Sequence, residues 1–261
     1  MSINHTIKAL GVAKSSVYYK AKAYPKERKG TLRIQLEEDV KTSILAITAK
    51  KATYGIPRVK AVLKRDYGVN VTKYRIHRFM KEEGLLIKRN RTRGSNRAHT
   101  GKIAVSEPNT RWASDITSIK CWNGQKLRFT YVLDCCDRSI ISWKAGIHMQ
   151  ACDIELMLQE AIFNRFGEKL PPKTTLQFLH DNGPEYIEKR LSKSIADWNI
   201  INCNTPTYSP QSNGMCEAFN GTFKRDYVYE SCLDNATMVH QQIQKWVDEY
   251  NKFAPHSALN M

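Results

Sequence analysis

Apolar residues recur at helical spacing in the first part of the chain and at alternate positions in the middle, and this change of period divides it. Ile3, Ile7 and Leu10 fit a short helix, Gly11 offers a break, and Ser15 and Ser16 can cap a second segment ending in Val17, Tyr18 and Tyr19. Leu36, Val40, Ile44, Leu45 and Ile47 predict a longer helix. Pro57 can open the next, with Val59, Val62 and Leu63 on its apolar face and a turn at Asp66 to Gly68. Thr72 caps a third, with Ile76, Phe79 and Met80 on one face and Gly84 at its end. After Pro108 the period drops to two. Trp112 to Ile119 reads as a strand, Asn123-Gly124 as a hairpin turn, and Phe129, Tyr131 and Leu133 as one face of a second strand. Ile141, Trp143, Ala145 and Ile147 alternate in the same way in a third.

Helices and strands then alternate. Ile154, Met157, Leu158, Ala161 and Ile162 mark a helix over 151–166, and Thr174 to His180 is a buried strand. Ile187, Leu191, Ile195 and Trp198 mark another helix, followed by a short strand at Ile200, Ile201 and Cys203. A further helix buries Met215, Ala218, Phe219, Thr222, Phe223 and Tyr227, and the last buries Val239, Ile243, Trp246, Val247 and Tyr250. The order β-β-β-α-β-α-β-α implies an α/β fold: a mixed five-stranded sheet flanked by helices, preceded by a small all-helical domain.

Five segments follow from these changes of texture: a basic N-terminal segment over 1–31, a helix-turn-helix domain over 32–87, a basic linker over 88–106, a core over 107–230, and a C-terminal helix and tail over 231–261. The third helix of the small domain carries Lys73, Arg75, His77, Arg78 and Lys81 off its apolar face, the outline of a DNA reader. A solvated basic face on a packing module is the plainer alternative. From Gly84 to Ser106 the chain has no acid, while Lys88, Arg89, Arg91, Arg93, Arg97 and Lys102 alternate with small polar residues. Such a segment has no stripe to bury and suits contact with phosphates.

Charge narrows the choice of partner. In 261 residues, 41 Lys and Arg stand against 25 Asp and Glu, a net charge of +16. An excess of this size points first to nucleic acid and second to an anionic membrane surface. No window approaches the ~18 apolar residues of a membrane span, and the N-terminus lacks the apolar core of a signal peptide. Seven cysteines without a CxxC pattern, two of them adjacent at Cys135 and Cys136, argue against a structural zinc site and fit a reducing cytoplasm.

Three acids stand out against this basic background: Asp115 inside the first predicted strand, Asp181 at the carboxyl end of the fourth, and Glu217 on the helix that follows the fifth. Taken singly each has a plain reading. Asp-Asn-Gly at 181–183 is a turn signature, and an isolated helix glutamate is ordinarily solvated. Taken together, on three elements that can converge, they suit a divalent metal that activates water or a 3′-hydroxyl against a phosphodiester. Glu217, Asn220, Gly221 and Lys224 share one side of their helix, and Lys224, about two turns beyond Glu217, can grip a phosphate. Asp134 and Asp137 are the competing carboxylates, Asp134 with a supporting role.

The segments PNTRWASDITS, LRFTYVLDCCDR, HDNGPEY, SPQSNGMCEAFNGTFKRDY and YNKFAPHSAL together resemble the bacterial insertion-sequence transposases with a retroviral-integrase-like catalytic core, specifically the product of their second reading frame. YGIPRVKAVLKRDYGVNVTKYRIHRFMKEEGLL resembles the helix-turn-helix segment that precedes that core. The resemblance implies a ribonuclease-H-like fold and an Asp-Asp-Glu triad at Asp115, Asp181 and Glu217. It implies Mg2+ or Mn2+ as cofactor, as two ions, with cleavage at the ends of the element and joining of a 3′-hydroxyl to a phosphodiester. Lys224 matches the family's basic residue after the glutamate. Double-stranded DNA at the element ends and at the target, the product of the upstream frame, and further copies of the chain on DNA are the implied partners. No heptad run is present, so the resemblance is to the catalytic half alone. Family members usually continue past the segment corresponding to PHSALN, so a shortened C-terminus is expected.

Two other functions fit the same features: a non-catalytic DNA-binding modulator of a full-length transposase, and a stand-alone metal-dependent nuclease. Retention of regulation by a triad mutant would mark the first, and cutting without joining the second.

Overall fold

The computed structural model describes residues 36–87, 104–168, 171, 174–204, 214–256 and 259. The helical pair expected within 2–20 and the linker arginines Arg89, Arg91 and Arg93 lie outside these residues. By contact the chain divides into Met1–Glu37 and Glu38–Met261, and the elements below belong to the second unit.

Three helices come first: α1 (Glu38–Lys50), α2 (Ile56–Tyr67) and α3 (Lys73–Glu82). Their ends follow local chemistry. Pro57 sits in the first turn of α2, and Gly68 closes that helix at φ 67, returning its N–H to the Leu63 carbonyl. Thr72 caps α3 by accepting from the Arg75 N–H. Val40, Ile44, Ile47, Val59, Val62, Leu63, Ile76, Phe79 and Met80 are all buried. Leu45 does not join them and is 42% exposed. Adjacent positions on a helix do not share a face, and Ile44 holds the inward one.

The sheet has the order β3-β2-β1-β4-β5. Strands β1 (Arg111–Lys120), β2 (Lys126–Asp134) and β3 (Ile140–Gly146) form an antiparallel meander, and β4 (Leu176–His180) and β5 (Ile200–Asn204) add parallel to β1. Parallel neighbours need crossovers, and α4 (Ala151–Phe166) and α5 (Lys189–Asp197) supply them. Both bury their stripes on one face of the sheet, around Trp112, Val132, Leu176 and Phe178. Helices α6 (Gly214–Phe223) and α7 (Ala236–Phe253) cover the other face, around Ala113, Phe129, Tyr131 and Leu133. This mixed sheet with helices on both faces is the ribonuclease-H-like arrangement.

Several apolar positions fall differently from their simple periodicity. The β2–β3 ladder shifts register between Val132 and Leu133, so Ser142 pairs with Val132 and Ile140 with Leu133. The extra residue turns Ile141 to the α4 side, away from Trp143 and Ala145. Ile147 lies beyond β3 and is exposed, as is Ile187, which precedes α5. The buried stripe of α6 is Cys216, Phe219 and Phe223, and Ala218 faces outward. After Phe223 the helix widens into a π-helical turn over Lys224–Val228 before the chain reaches α7.

Candidate active site

Strands β1 and β4 run parallel, with Ala113 level with Leu179. Carrying that register forward sets Asp115 beside Asp181, just past the end of β4 at His180. Neighbouring strands lie about 4.8 Å apart, so two carboxylates at this level share one small space. Side chains alternate between faces, which gives Asp115 the face of Ala113 and Asp181 that of Leu179, the face covered by α6. The place is the carboxyl edge of a parallel pair, where open α/β sheets take their ligands.

Asp115 is half-buried and held at both oxygens. Its Oδ1 accepts from the Ile116 N–H at 2.9 Å and its Oδ2 from the Asn220 side-chain amide at 2.8 Å. Tyr131, directly across the β1–β2 ladder, donates to Asn220 Oδ1 at 3.1 Å and to the Cys216 carbonyl at 3.4 Å. Burial, then the Asp181 charge, push the Asp115 carboxyl up to about 6, with a smaller push from Glu217; the Ile116 and Asn220 hydrogen bonds oppose this. Asp181 closes a tight turn in which its Oδ1 accepts from the Gly183 N–H at 3.0 Å. A Cβ added at Gly183 would stand 3.0 Å from that same oxygen, so a larger residue here requires the Asp181 carboxylate to give by a few tenths of an ångström.

Glu217 lies in the first turn of α6 and is exposed. Lys224 is half-buried; burial lowers its pKa while the charge of Asp115 raises it, so the two are in electrostatic reach. Gly221 is exposed, and a Cβ added there would meet nothing within 4 Å. The fold thus sets Asp115 beside Asp181 and places over them α6, which carries Glu217 and Asn220, with Lys224 opening the π-helical turn that follows it. Among the described residues no three His, Cys, Asp or Glu side chains form a group that could hold a metal ion. The groups that do converge are the carboxylates of Asp115 and Asp181, hard oxygen donors whose mutual repulsion a hard cation would relieve.

Residues that sequence patterns passed over support the acids from behind. Ser114, Thr130 and Tyr186 meet on the opposite face of the sheet, with the Tyr186 hydroxyl 2.6 Å from Ser114 Oγ and 3.2 Å from Thr130 Oγ1. The buried His180 stacks on Tyr186 at 4.8 Å and bridges the Asp181 carbonyl to Asn202 Oδ1, each at 2.6 Å. Their positions carried a signal: Ser114 precedes Asp115, His180 precedes Asp181, and Thr130 precedes Tyr131. Asp134, fully buried, accepts from the Asn109 and Cys136 N–H groups at 2.7 Å, and Asp137 pairs with Arg165 at 2.8 Å. Both competing carboxylates are engaged in organising the β2–β3 turn.

Of the α3 cations, Lys73 is exposed, Arg75 is half-buried, and Arg78 pairs with Glu82 at 3.6 Å. No helix among the described residues is long and apolar enough to cross a membrane.

Comparison with known proteins agrees with this architecture. Two family models described as Integrase core domain match residues 105–210 and 200–261, and one described as HTH-like domain matches 35–93. An insertion element IS136 protein of Agrobacterium fabrum (strain C58) is 37% identical over 184 residues, covering 70% of this chain and 94% of that protein. The transposase InsD for insertion element IS2A/D/F/H/I/K of Escherichia coli is 33% identical over 231 residues, covering 85% of this chain and 76% of its own length. Among solved structures, the HTLV-2 integrase catalytic core domain in complex with magnesium overlaps with a TM-score of 0.45 at 19% identity, over 58% of this chain and 92% of that one. With the small helical domain, the sheet and the closing helices all matched in order, the chain belongs to the insertion-element transposases with an integrase core.

Proposed function

We propose that this chain is the catalytic subunit of a transposase, which cuts the DNA ends of an insertion element and joins them to a target with an Asp-Asp-Glu triad at Asp115, Asp181 and Glu217. Its family makes it a polynucleotidyl transferase. The observation that carries the triad is the β1–β4 register, which levels Asp115 with Asp181 on the face covered by the Glu217 helix. An all-oxygen donor set of this kind suits Mg2+ or Mn2+, and stabilising both an entering and a leaving oxygen suits two ions. Bound there, the metal would stabilise the charge that develops on the phosphodiester oxygens.

The chain's own residues hold the acids and place the DNA. Asn220 keeps the Asp115 carboxylate oriented, with Tyr131 fixing Asn220 in turn. The Gly183 turn fixes Asp181. Lys224 offers a cation to a phosphate beside the reacting bond. Lys73, Arg75 and Arg78 on α3, with Arg89, Arg91 and Arg93 of the linker, contact DNA phosphates and so supply affinity and register. The chain works in the cytoplasm, as an oligomer assembled on DNA, together with the product of the upstream reading frame.

The test is joining of a 3′-hydroxyl-ended duplex bearing the element end to a plasmid, with Mg2+ and with chelator. Asp115→Asn, Asp181→Asn and Glu217→Gln should each abolish joining and keep DNA affinity. Joining that survives all three substitutions sinks the triad assignment.

A further inference from the structure

Asp226 is a buried carboxylate outside the triad. It lies in the π-helical turn that continues α6, and it is 2% exposed. Tyr227 and Val228 beside it are as deeply buried, a run of consecutive inward residues that a regular surface helix does not allow. A buried charge is costly unless its oxygens are paired. Arg225 takes both, Nε to Oδ1 at 2.7 Å and Nη2 to Oδ2 at 3.0 Å, and Arg58 Nη1 donates to Oδ2 as well. Burial acts to raise the Asp226 pKa, but the Arg225 hydrogen bonds and the Arg58 charge outweigh it and hold the carboxyl below its ordinary value.

Arg58 belongs to α2 of the helix-turn-helix segment, and that segment holds the turn at a second point. Lys51, just after α1, donates to the Asp226 carbonyl at 3.1 Å and pairs with Glu249 of α7 at 3.1 Å. Its ammonium also lies 4.1 Å from the centroid of the Tyr227 ring. From Tyr227 a run of aromatic contacts leads to the acids. Tyr227 meets Phe223 at 5.3 Å, Phe223 meets Phe219 at 5.3 Å, and Phe219 meets Tyr131 at 4.2 Å. Tyr131 is the residue that fixes Asn220 against Asp115.

We propose that Asp226, gripped by Arg58 and Lys51, is a positioning residue: it locks the DNA-reading segment to the helix of Glu217 and so sets where that helix stands over Asp115 and Asp181. This rests on the triad reading above. Lys224 opens the same π turn, so the lock also sets the approach of the phosphate-gripping cation. DNA that shifts the helix-turn-helix segment would then shift the active site with it.

The test uses the full chain with Arg58→Met, Arg58→Lys and Asp226→Asn. Arg58→Met leaves Arg225 on both Asp226 oxygens, so its fold does not depend on an unpaired buried charge. Amide hydrogen exchange over 214–231 is measured first, then joining at saturating DNA alongside affinity for the same duplex. In Arg58→Met, exchange over 224–231 should speed up and joining should fall by up to about 100-fold, the cost of a ~1 Å misplacement, with affinity unchanged. Arg58→Lys should recover part of both losses, and Asp226→Asn should match or exceed Arg58→Met. Unchanged exchange in Arg58→Met, or a joining defect that saturating DNA corrects, overturns the proposal. Failure of the triad reading looks different: joining would be indifferent to Asp115→Asn, while exchange would still report on the lock by itself.

Discussion

Asn220 donates its side-chain amide to Asp115 Oδ2 at 2.8 Å, and this orientation is set from the other side by the Tyr131 hydroxyl, which donates to Asn220 Oδ1 at 3.1 Å. Burial raises the Tyr131 pKa well above its ordinary value, so the phenol keeps its proton and remains a donor. Without that hydroxyl the amide is free to turn its oxygen toward the carboxylate. Tyr131→Phe should therefore slow joining by about tenfold, the equivalent of one hydrogen bond of ~1.4 kcal/mol, with DNA affinity unchanged. Single-turnover joining at saturating DNA measures this directly, and a wild-type rate would show that Asn220 needs no second partner.

Gly183 constrains Asp181 from the turn. An added Cβ would stand 3.0 Å from Asp181 Oδ1, 3.4 Å from Glu185 Oε2 and 3.5 Å from Tyr186 Cδ2. Glu185 is held by Arg128 at 2.6 Å, and Tyr186 is tied to Ser114 and Thr130, so the Asp181 carboxylate is the group that must yield. Gly183→Ala is expected to reduce joining by roughly 10- to 100-fold through that displacement. The melting temperature should change little. If joining keeps its parental rate, Asp181 has room to move without loss and its position is not set by this turn.

The metal-free chain should carry a pH signature of crowded acids. Asp115 titrates at about 6 against an ordinary value of 3.8, raised first by burial and then by Asp181. A carboxyl raised on folding binds its proton more tightly in the folded state. Its contribution to stability is full below the unfolded value and is lost as pH rises through 6. Asp115→Asn should therefore raise the melting temperature of the metal-free chain at about pH 8 and leave it unchanged at about pH 2.5, well below both values, where Asp115 is protonated in both states. Mg2+ or Mn2+ should stabilise the parent at the higher pH and stabilise the variant less. Melting curves that coincide at both pH values would mean that the acids do not crowd one another.

Asp115 and Asp181 are legible in the sequence because each sits where strand alternation survives into the fold. A two-residue turn at Asn123-Gly124 would pair Asp115 with Val132; the loop is instead three residues, Trp122 to Gly124 with Gly124 at φ 86, and it sets Tyr131 opposite Asp115. The face of Ile141 is not legible, since a bulge adds one residue to a strand and leaves no mark in composition. Ala218 fits an apolar stripe but has little surface to bury, and the larger Phe219 and Phe223 set the phase of α6 instead. Asp226 is the least legible. In the run Lys224-Arg225-Asp226 it reads as a surface charge, because its partners Arg58 and Lys51 are remote in the chain and a π turn has no compositional signature.

Two of the cations on α3, Lys73 and Arg78, should weigh differently on DNA. Lys73 is exposed in the first turn, whereas Arg78 pairs with Glu82 at 3.6 Å. Each phosphate neutralised adds about 0.9 to the slope of log affinity against log salt. Lys73→Ala should therefore weaken binding to all duplexes alike and lower that slope by about 0.9. Arg78 must first give up a surface pair worth roughly 0.3–0.5 kcal/mol, so Arg78→Ala should cost less affinity than Lys73→Ala. Titration of an element-end duplex and an unrelated duplex from about 50 to 200 mM salt separates these effects. A slope that Lys73→Ala leaves intact would remove this residue from the phosphate contacts, and a loss confined to the element-end duplex would make it a reader of bases.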